Sequence, residues 1–434
     1  MRSPLEWSLL HGWLPVTICL AAAGGATLLL QAVVHGRVRR GLAAAGIAVA
    51  LAAGGGWLVD HVWRPFPDPL PVTVLARVAF GLTGIGLAVV AWPRTGRRRV
   101  VAVLAAAATV LGAATAVNAF YGQFSTVRAA LGVRPENMIG IDDMAPHGVT
   151  ATGAAADQPL AAVWHRPPEL ATSGRLLNAA IPGERSGFAA RPAWVYLPPA
   201  YLAAERAVLP VLILLSGQPG SPRDWIDGGR VDRVMDDFAR AHDGLAPLVV
   251  MPDALGSLVA NPLCLDSRLG NVETYLSEDV PAWVRAHFDV DPSYRHWAVG
   301  GYSYGGTCSL QLGVRRPDRY PTLLDISGQR EPTLGDRAGT VAAAFGGDAA
   351  AFVRVNPLDI LAGQRFAGSE ALLVSGLDDA EYGPQQRLVR AACERAGMTV
   401  RWWELPGGHS WQVWGAGLVA GLPRLAVRMG ITAA

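Results

Sequence analysis

The chain has 434 residues, 51% of them hydrophobic and only 17% charged, and its 37 basic and 35 acidic residues leave a net charge of +2. Every basic residue is arginine, and these are dispersed or gathered in two short runs, so nucleic-acid binding has no support. No metal-ligand cluster and no G-x-x-x-x-G-K phosphate loop is present, and no cofactor or metal is expected.

Composition shifts sharply near residue 122. Before it, Ala, Leu, Val and Gly dominate and charges are confined to short breaks. Four apolar segments, at about 13–34, 42–59, 72–92 and 100–120, are long enough to cross the hydrocarbon core, which takes about 20 residues. Residues 1–121 are therefore predicted to be a four-span transmembrane domain. The first segment lacks the basic start of a signal peptide, and further spans follow it.

The short loops predict the orientation. His35-Gly36-Arg37-Val38-Arg39-Arg40 and Arg94-Thr95-Gly96-Arg97-Arg98-Arg99 are basic, whereas the N-terminal residues and the 60–70 loop carry mixed charge. Basic loops stay cytoplasmic. The N-terminus and everything after the fourth span are then extracytoplasmic. Arg77 falls inside the third segment, near its outer end, where its side chain can snorkel to the interface; a lipid-headgroup contact is the alternative. The spans hold no other ionisable residue, so they read as an anchor among membrane lipids rather than an ion pathway.

Residues 122–173 read as a juxtamembrane segment and linker, small and polar over 150–157. From about residue 174 to 434, short apolar runs alternate with turn signals and helical patterns, as in a mostly parallel sheet with flanking helices. The 208–215 run reads as a buried strand ended by Ser216-Gly217-Gln218-Pro219-Gly220. Cys264, Cys308 and Cys393 fall in this outer domain, where oxidation is possible, and a Cys264–Cys308 disulfide is one candidate pairing.

Gly301-Tyr302-Ser303-Tyr304-Gly305 is a G-x-S-x-G sequence between an apolar run and a helical pattern. Strand, sharp turn and helix are the context of a nucleophile elbow, which lifts the serine to the carboxyl end of a strand. Ser303 is the candidate nucleophile. A serine needs a base, and the base an orienting acid. In the order Ser, acid, His, only His409 lies after Ser303. The acid falls in Gly376-Leu377-Asp378-Asp379-Ala380-Glu381: Asp379 first, Asp378 as the alternative, Glu381 third. The backbone N–H groups of Gln218 and Tyr304 are the candidate oxyanion donors. Residues 331–364 are a candidate cap hinged at Phe345-Gly346-Gly347-Asp348. Trp402, Trp403, Trp411 and Trp414 bracket His409, either as a pocket lining or as core.

With these motifs in place, the stretch from about Gly174 to Arg428 resembles the esterase D family of α/β-hydrolases, which also contains secreted mycolyltransferases. The likeness is carried by Arg191-Pro192-Ala193-Trp194-Val195-Tyr196-Leu197-Pro198-Pro199, Leu214-Leu215-Ser216-Gly217-Gln218, Gly301 to Gly306, Gly376-Leu377-Asp378-Asp379 and Gly408-His409-Ser410-Trp411. It implies an α/β-hydrolase fold and serine chemistry on carboxylic esters, and it favours Asp379, three residues after the strand-end glycine. One departure is Ser216-Gly217 where the family usually has His-Gly. The expected protein is a membrane-anchored, extracytoplasmic serine esterase or acyltransferase acting on lipid or cell-envelope esters. The alternative is a non-catalytic envelope-binding protein built on the same scaffold.

Overall fold

The computed structural model describes residues 3–34, 37–63, 69–93, 95–141, 151–154 and 158–433. Parts of the expected loops and linker, including His35, Gly36, Arg94, Thr150 and 155–157, lie outside the described residues. The chain divides into two compact units, Met1–Val133 and Arg134–Ala434.

The first unit is built from α1 (Trp13–Val34), α2 (Val38–Leu58), α3 (Val72–Val90) and α4 (Gly96–Tyr121). All four are long and apolar enough to cross a membrane. Helices α2 and α4 start earlier than the apolar segments predicted, running through Arg39, Arg40 and Arg97–Arg99. The reason is that the expected bounds followed apolarity alone, whereas the helical backbone ladder continues through the neighbouring charged residues. Helix α4 packs on α1 and α3, and α2 on α3. Small residues allow close approach: a Cβ added to Gly25 would stand 2.7 Å from the Ala105 carbonyl oxygen, and one on Gly56 2.8 Å from Leu75. Alternating helix direction puts both basic runs at one end, where an Arg37 Nη1–H donates to the Val90 carbonyl. Exposed Trp13, Trp57 and Trp63 stand at the opposite end and exposed Trp92 near the basic one, as in interfacial aromatic belts.

The second unit carries an eight-stranded sheet: β1 (Arg175–Ala179), β2 (Ala193–Leu197), β3 (Val211–Leu215), β4 (Leu248–Met251), β5 (Ala298–Tyr302), β6 (Thr322–Ile326), β7 (Glu370–Gly376) and β8 (Thr399–Leu405). Their spatial order is β8-β7-β6-β5-β3-β4-β2-β1. Only β2 runs antiparallel to its neighbours β1 and β4, and every other pair is parallel. Helices cover the faces, so central strands read as continuous apolar runs, and β3, β5 and β6 are buried throughout. The unit begins before residue 174: the Ile139 N–H donates to Leu176 O at 2.8 Å, and the Leu160 N–H to Gly430 O at 2.8 Å. Ala151–Thr152 pairs with Arg206–Ala207. Leu160 and Trp164 are buried in the same core, so much of the expected linker belongs to this unit.

Candidate active site

Register sets the geometry. Leu215 pairs with Gly301, Tyr302 with Ile326, Ile326 with Val374, and Gly376 with Leu405. The carboxyl ends of β3, β5, β7 and β8 therefore open onto one edge, the usual place for a site in such a sheet.

Between β5 and the helix α5 (Tyr304–Arg315), Ser303 adopts φ 54° and ψ −122°. This conformation is strained for a residue with a Cβ. The Ser303 N–H holds the turn by donating to Ile326 O at 2.9 Å. The turn has no room at its flanks: a Cβ on Gly301 would strike the Gly305 backbone, and one on Gly305 would stand 2.8 Å from Ser216 O. Helix α5 is buried from Tyr304 to Val314, because it sits over the middle of the sheet.

The loops after β7 and β8 bring the other predicted residues to this serine. His409 Nε2 is 2.9 Å from Ser303 Oγ, and His409 Nδ1 is 3.0 Å from Asp379 Oδ2. Asp379 is buried, and its second oxygen accepts the Tyr382 N–H at 3.0 Å. Asp378 and Glu381 are exposed; the Asp378 N–H instead ties the two loops by donating to Gly407 O at 2.9 Å. The structure thus brings Asp379, not Asp378 or Glu381, to His409.

On the other side, the turn after β3 abuts the serine: a Cβ on Gly217 would stand 3.2 Å from Ser303 Cβ. Gln218, the next residue, turns its side-chain amide to the neighbouring loop, donating to Val259 O at 2.8 Å. Arg191 braces this turn. Its Nη2 donates to Gly220 O at 2.9 Å and to Asp253 Oδ1 at 2.6 Å. Tyr304 opens α5, where helix geometry leaves its N–H without an intrahelical acceptor. Its phenol is buried, donating to Ala254 O at 3.2 Å and accepting the Cys264 N–H at 3.0 Å. Burial holds that hydroxyl well above the ordinary phenol range. Cys264 and Cys308 form a disulfide with Cα atoms 5.5 Å apart, joining this loop to α5, while Cys393 is a buried free thiol.

Sequence reasoning missed Tyr382 as a neighbour of His409. Its imidazole stacks on Tyr382, with centroids 4.0 Å apart, and meets Trp414 edge-on at 5.0 Å. Trp414 stacks on Tyr302, which also contacts Trp225 and Trp411. Trp411 and Trp414 are thus buried core beside the site. Trp402 and Trp403 sit on edge strand β8, half-buried. The available signal was Tyr382 three residues after Asp379, the spacing at which an N–H reaches back to an aspartate. The expected cap forms three short helices, Arg337–Phe345, Ala349–Val355 and Pro357–Gly363, with Gly346 and Gly347 at positive φ between the first two.

This sheet order, with an elbow serine at the carboxyl end of its fifth strand, defines the α/β-hydrolase class. Within it, the chain belongs to the putative esterase family, whose model matches residues 189–425. An uncharacterized protein of Corynebacterium glutamicum is 35% identical over 429 residues, covering 96% of each chain, so that likeness extends through the apolar helices. A ferulic acid esterase structure covers 59% of this chain and 98% of its own, at 18% identity and a TM-score of 0.52. An S-formylglutathione hydrolase of Agrobacterium tumefaciens covers 60% and 97%, at 20% identity and a TM-score of 0.51. Both share the fold.

Proposed function

We propose that this chain is a membrane-anchored serine esterase or acyltransferase whose hydrolase unit works outside the cytoplasm on lipid or cell-envelope esters. The observation that carries the reading is the hydrogen-bond line from Asp379 through His409 to a serine held at φ 54°. His409 Nε2 accepts the Ser303 proton as Oγ attacks the ester carbonyl. Asp379 holds the Nδ1–H and stabilises the imidazolium. The backbone N–H groups of Gln218 and Tyr304 meet the oxyanion; one such donor typically contributes about 3 kcal/mol. His409 then protonates the leaving alcohol, and water or an acceptor alcohol releases the acyl group by the same steps. Both basic helix ends stand together, which supports the outward orientation under the rule that arginine-rich loops stay inside. Helices holding the enzyme at a bilayer favour an amphiphilic ester.

A membrane-impermeant fluorophosphonate applied to intact cells tests this reading. The expected result is labelling of the wild type that Ser303→Ala abolishes. Labelling only after lysis would overturn the orientation, and silence under both conditions would overturn the serine mechanism. Transesterified product in the presence of acceptor alcohols distinguishes transfer from hydrolysis.

A further inference from the structure

Elsewhere in the first unit, helices approach so closely that an added Cβ would collide. Between α1, α3 and α4 they instead leave a cavity of about 750 Å³, almost wholly apolar, with Ile18, Val78, Leu82, Ile85 and Val110 on its wall. Two chain segments roof it. The Leu9 N–H donates to Ser125 O and the Val127 N–H to Trp7 O, each at 3.1 Å. Asn118 clamps the turn below, its Nδ2 donating to Phe124 O at 2.9 Å and its Oδ1 accepting the Phe124 N–H at 2.8 Å. Leu9, Phe124 and Val127 of this roof also line the cavity. A space of this size and character matches ligand pockets rather than packing defects.

Arg77, a charged residue within the apolar stretch of α3, stands beside it. Arg77 precedes Val78 and is one turn from Gly81, both on the wall, and its guanidinium lies 5.0 Å from the Phe120 ring centroid. Its Nη1 is buried and meets no acceptor among the described residues. The described carboxylates of this unit are engaged elsewhere: Glu6 with Arg128, and Asp60 as acceptor of the Leu70 N–H. An ionisable side chain at membrane depth is costly and generally marks a functional contact. The anion available at that depth is a lipid headgroup.

We propose that the first unit binds an anionic phospholipid, with an acyl chain in this cavity and the headgroup phosphate on Arg77. The proposal rests on the helices spanning a bilayer and is independent of the esterase reading.

The test uses the full-length Ser303→Ala chain, so turnover cannot affect the readout. Native mass spectrometry in detergent measures retention of palmitoyl-oleoyl phosphatidylglycerol against the phosphatidylcholine of the same chains. The expected result is preferential retention of phosphatidylglycerol, lowered about fivefold by Arg77→Gln and largely kept by Arg77→Lys. Ala114→Phe, an exposed wall position, fills the cavity and is expected to lower retention of both lipids. Equal retention by the parent and both Arg77→Gln and Ala114→Phe would overturn the proposal. Displacement of phosphatidylglycerol by inorganic phosphate alone would assign Arg77 to a soluble anion and overturn it equally.

Discussion

The imidazole of His409 lies flat on the Tyr382 ring, 14° from parallel, while the Tyr382 N–H donates to the carboxylate that holds the same imidazole. One residue thus orients both Asp379 and His409, the first through its backbone and the second through its ring. Trp414 meets His409 edge-on as well, so two aromatic contacts limit how the imidazole can tilt.

Tyr382→Leu keeps the backbone bond and removes the stack. The expected effect is a fall in kcat of about fivefold, the scale of one aromatic contact, with KM nearly unchanged and Tyr382→Phe close to wild type. Steady-state hydrolysis of p-nitrophenyl butyrate checks this. An equal loss in Tyr382→Phe would shift the role to the hydroxyl.

Asp379→Asn and Asp378→Asn separate two adjacent carboxylates by burial. Loss of the charge that selects the His409 tautomer is expected to lower kcat about 10⁴-fold. The exposed Asp378 contributes its backbone N–H, so Asp378→Asn is expected to stay within a few-fold of wild type. A reversal of the two in the same assay would reassign the acid.

Behind the elbow, burial pushes the Asp325 carboxyl up to about 7, against the opposing bonds from Gln386 and the Gly328 N–H. In the unfolded chain an aspartate ionises near pH 4. Between these values the native state keeps a proton that the unfolded state has released, so stability falls as pH rises and levels off above about 7. Burial also raises Asp227, despite its Arg223 partner, to about 6, so its share of the decline ends sooner. Asp325→Asn is therefore expected to flatten the decline between about 6 and 7. Melting temperatures across that range are the measurement, and a slope equal to wild type would refute the assignment.

The Cys264–Cys308 bridge closes a loop with a sequence separation of 44. Loop entropy of that length corresponds to ~4 kcal/mol, and losses on removing a native bridge run about 2–5 kcal/mol. Cys308→Ser is expected to lower unfolding free energy by that amount in denaturant titrations. Dithiothreitol should lower the wild type and leave the variant unchanged; a wild type indifferent to reductant would show that the thiols are free.

The parts legible in the sequence were those with a local chemical signature. The apolar segments, the strand before Ser303 and the glycines around it each obey a rule spanning a few residues, and His409 stood out by its position in the chain. Asp378 and Asp379 could not be separated by composition, because the distinction depends on how the chain turns after Gly376 and which side chain that turn buries. The Tyr382–His409 stack joins residues on different loops, and no short-range pattern encodes it. The start of the second unit was misread for a related reason. Residues 122–173 look like a juxtamembrane segment and linker in composition, yet Leu160 and Trp164 find their partners near residues 243 and 430.

Arg37, Arg39, Arg40, Arg97, Arg98 and Arg99 share one end of the helical bundle. Carrying one charge against a potential of 100 mV takes about 2.3 kcal/mol, so six take roughly 14 kcal/mol before any cost of desolvation. Under the proposed orientation, with this end on the cytoplasmic side, that cost opposes any inversion of the bundle.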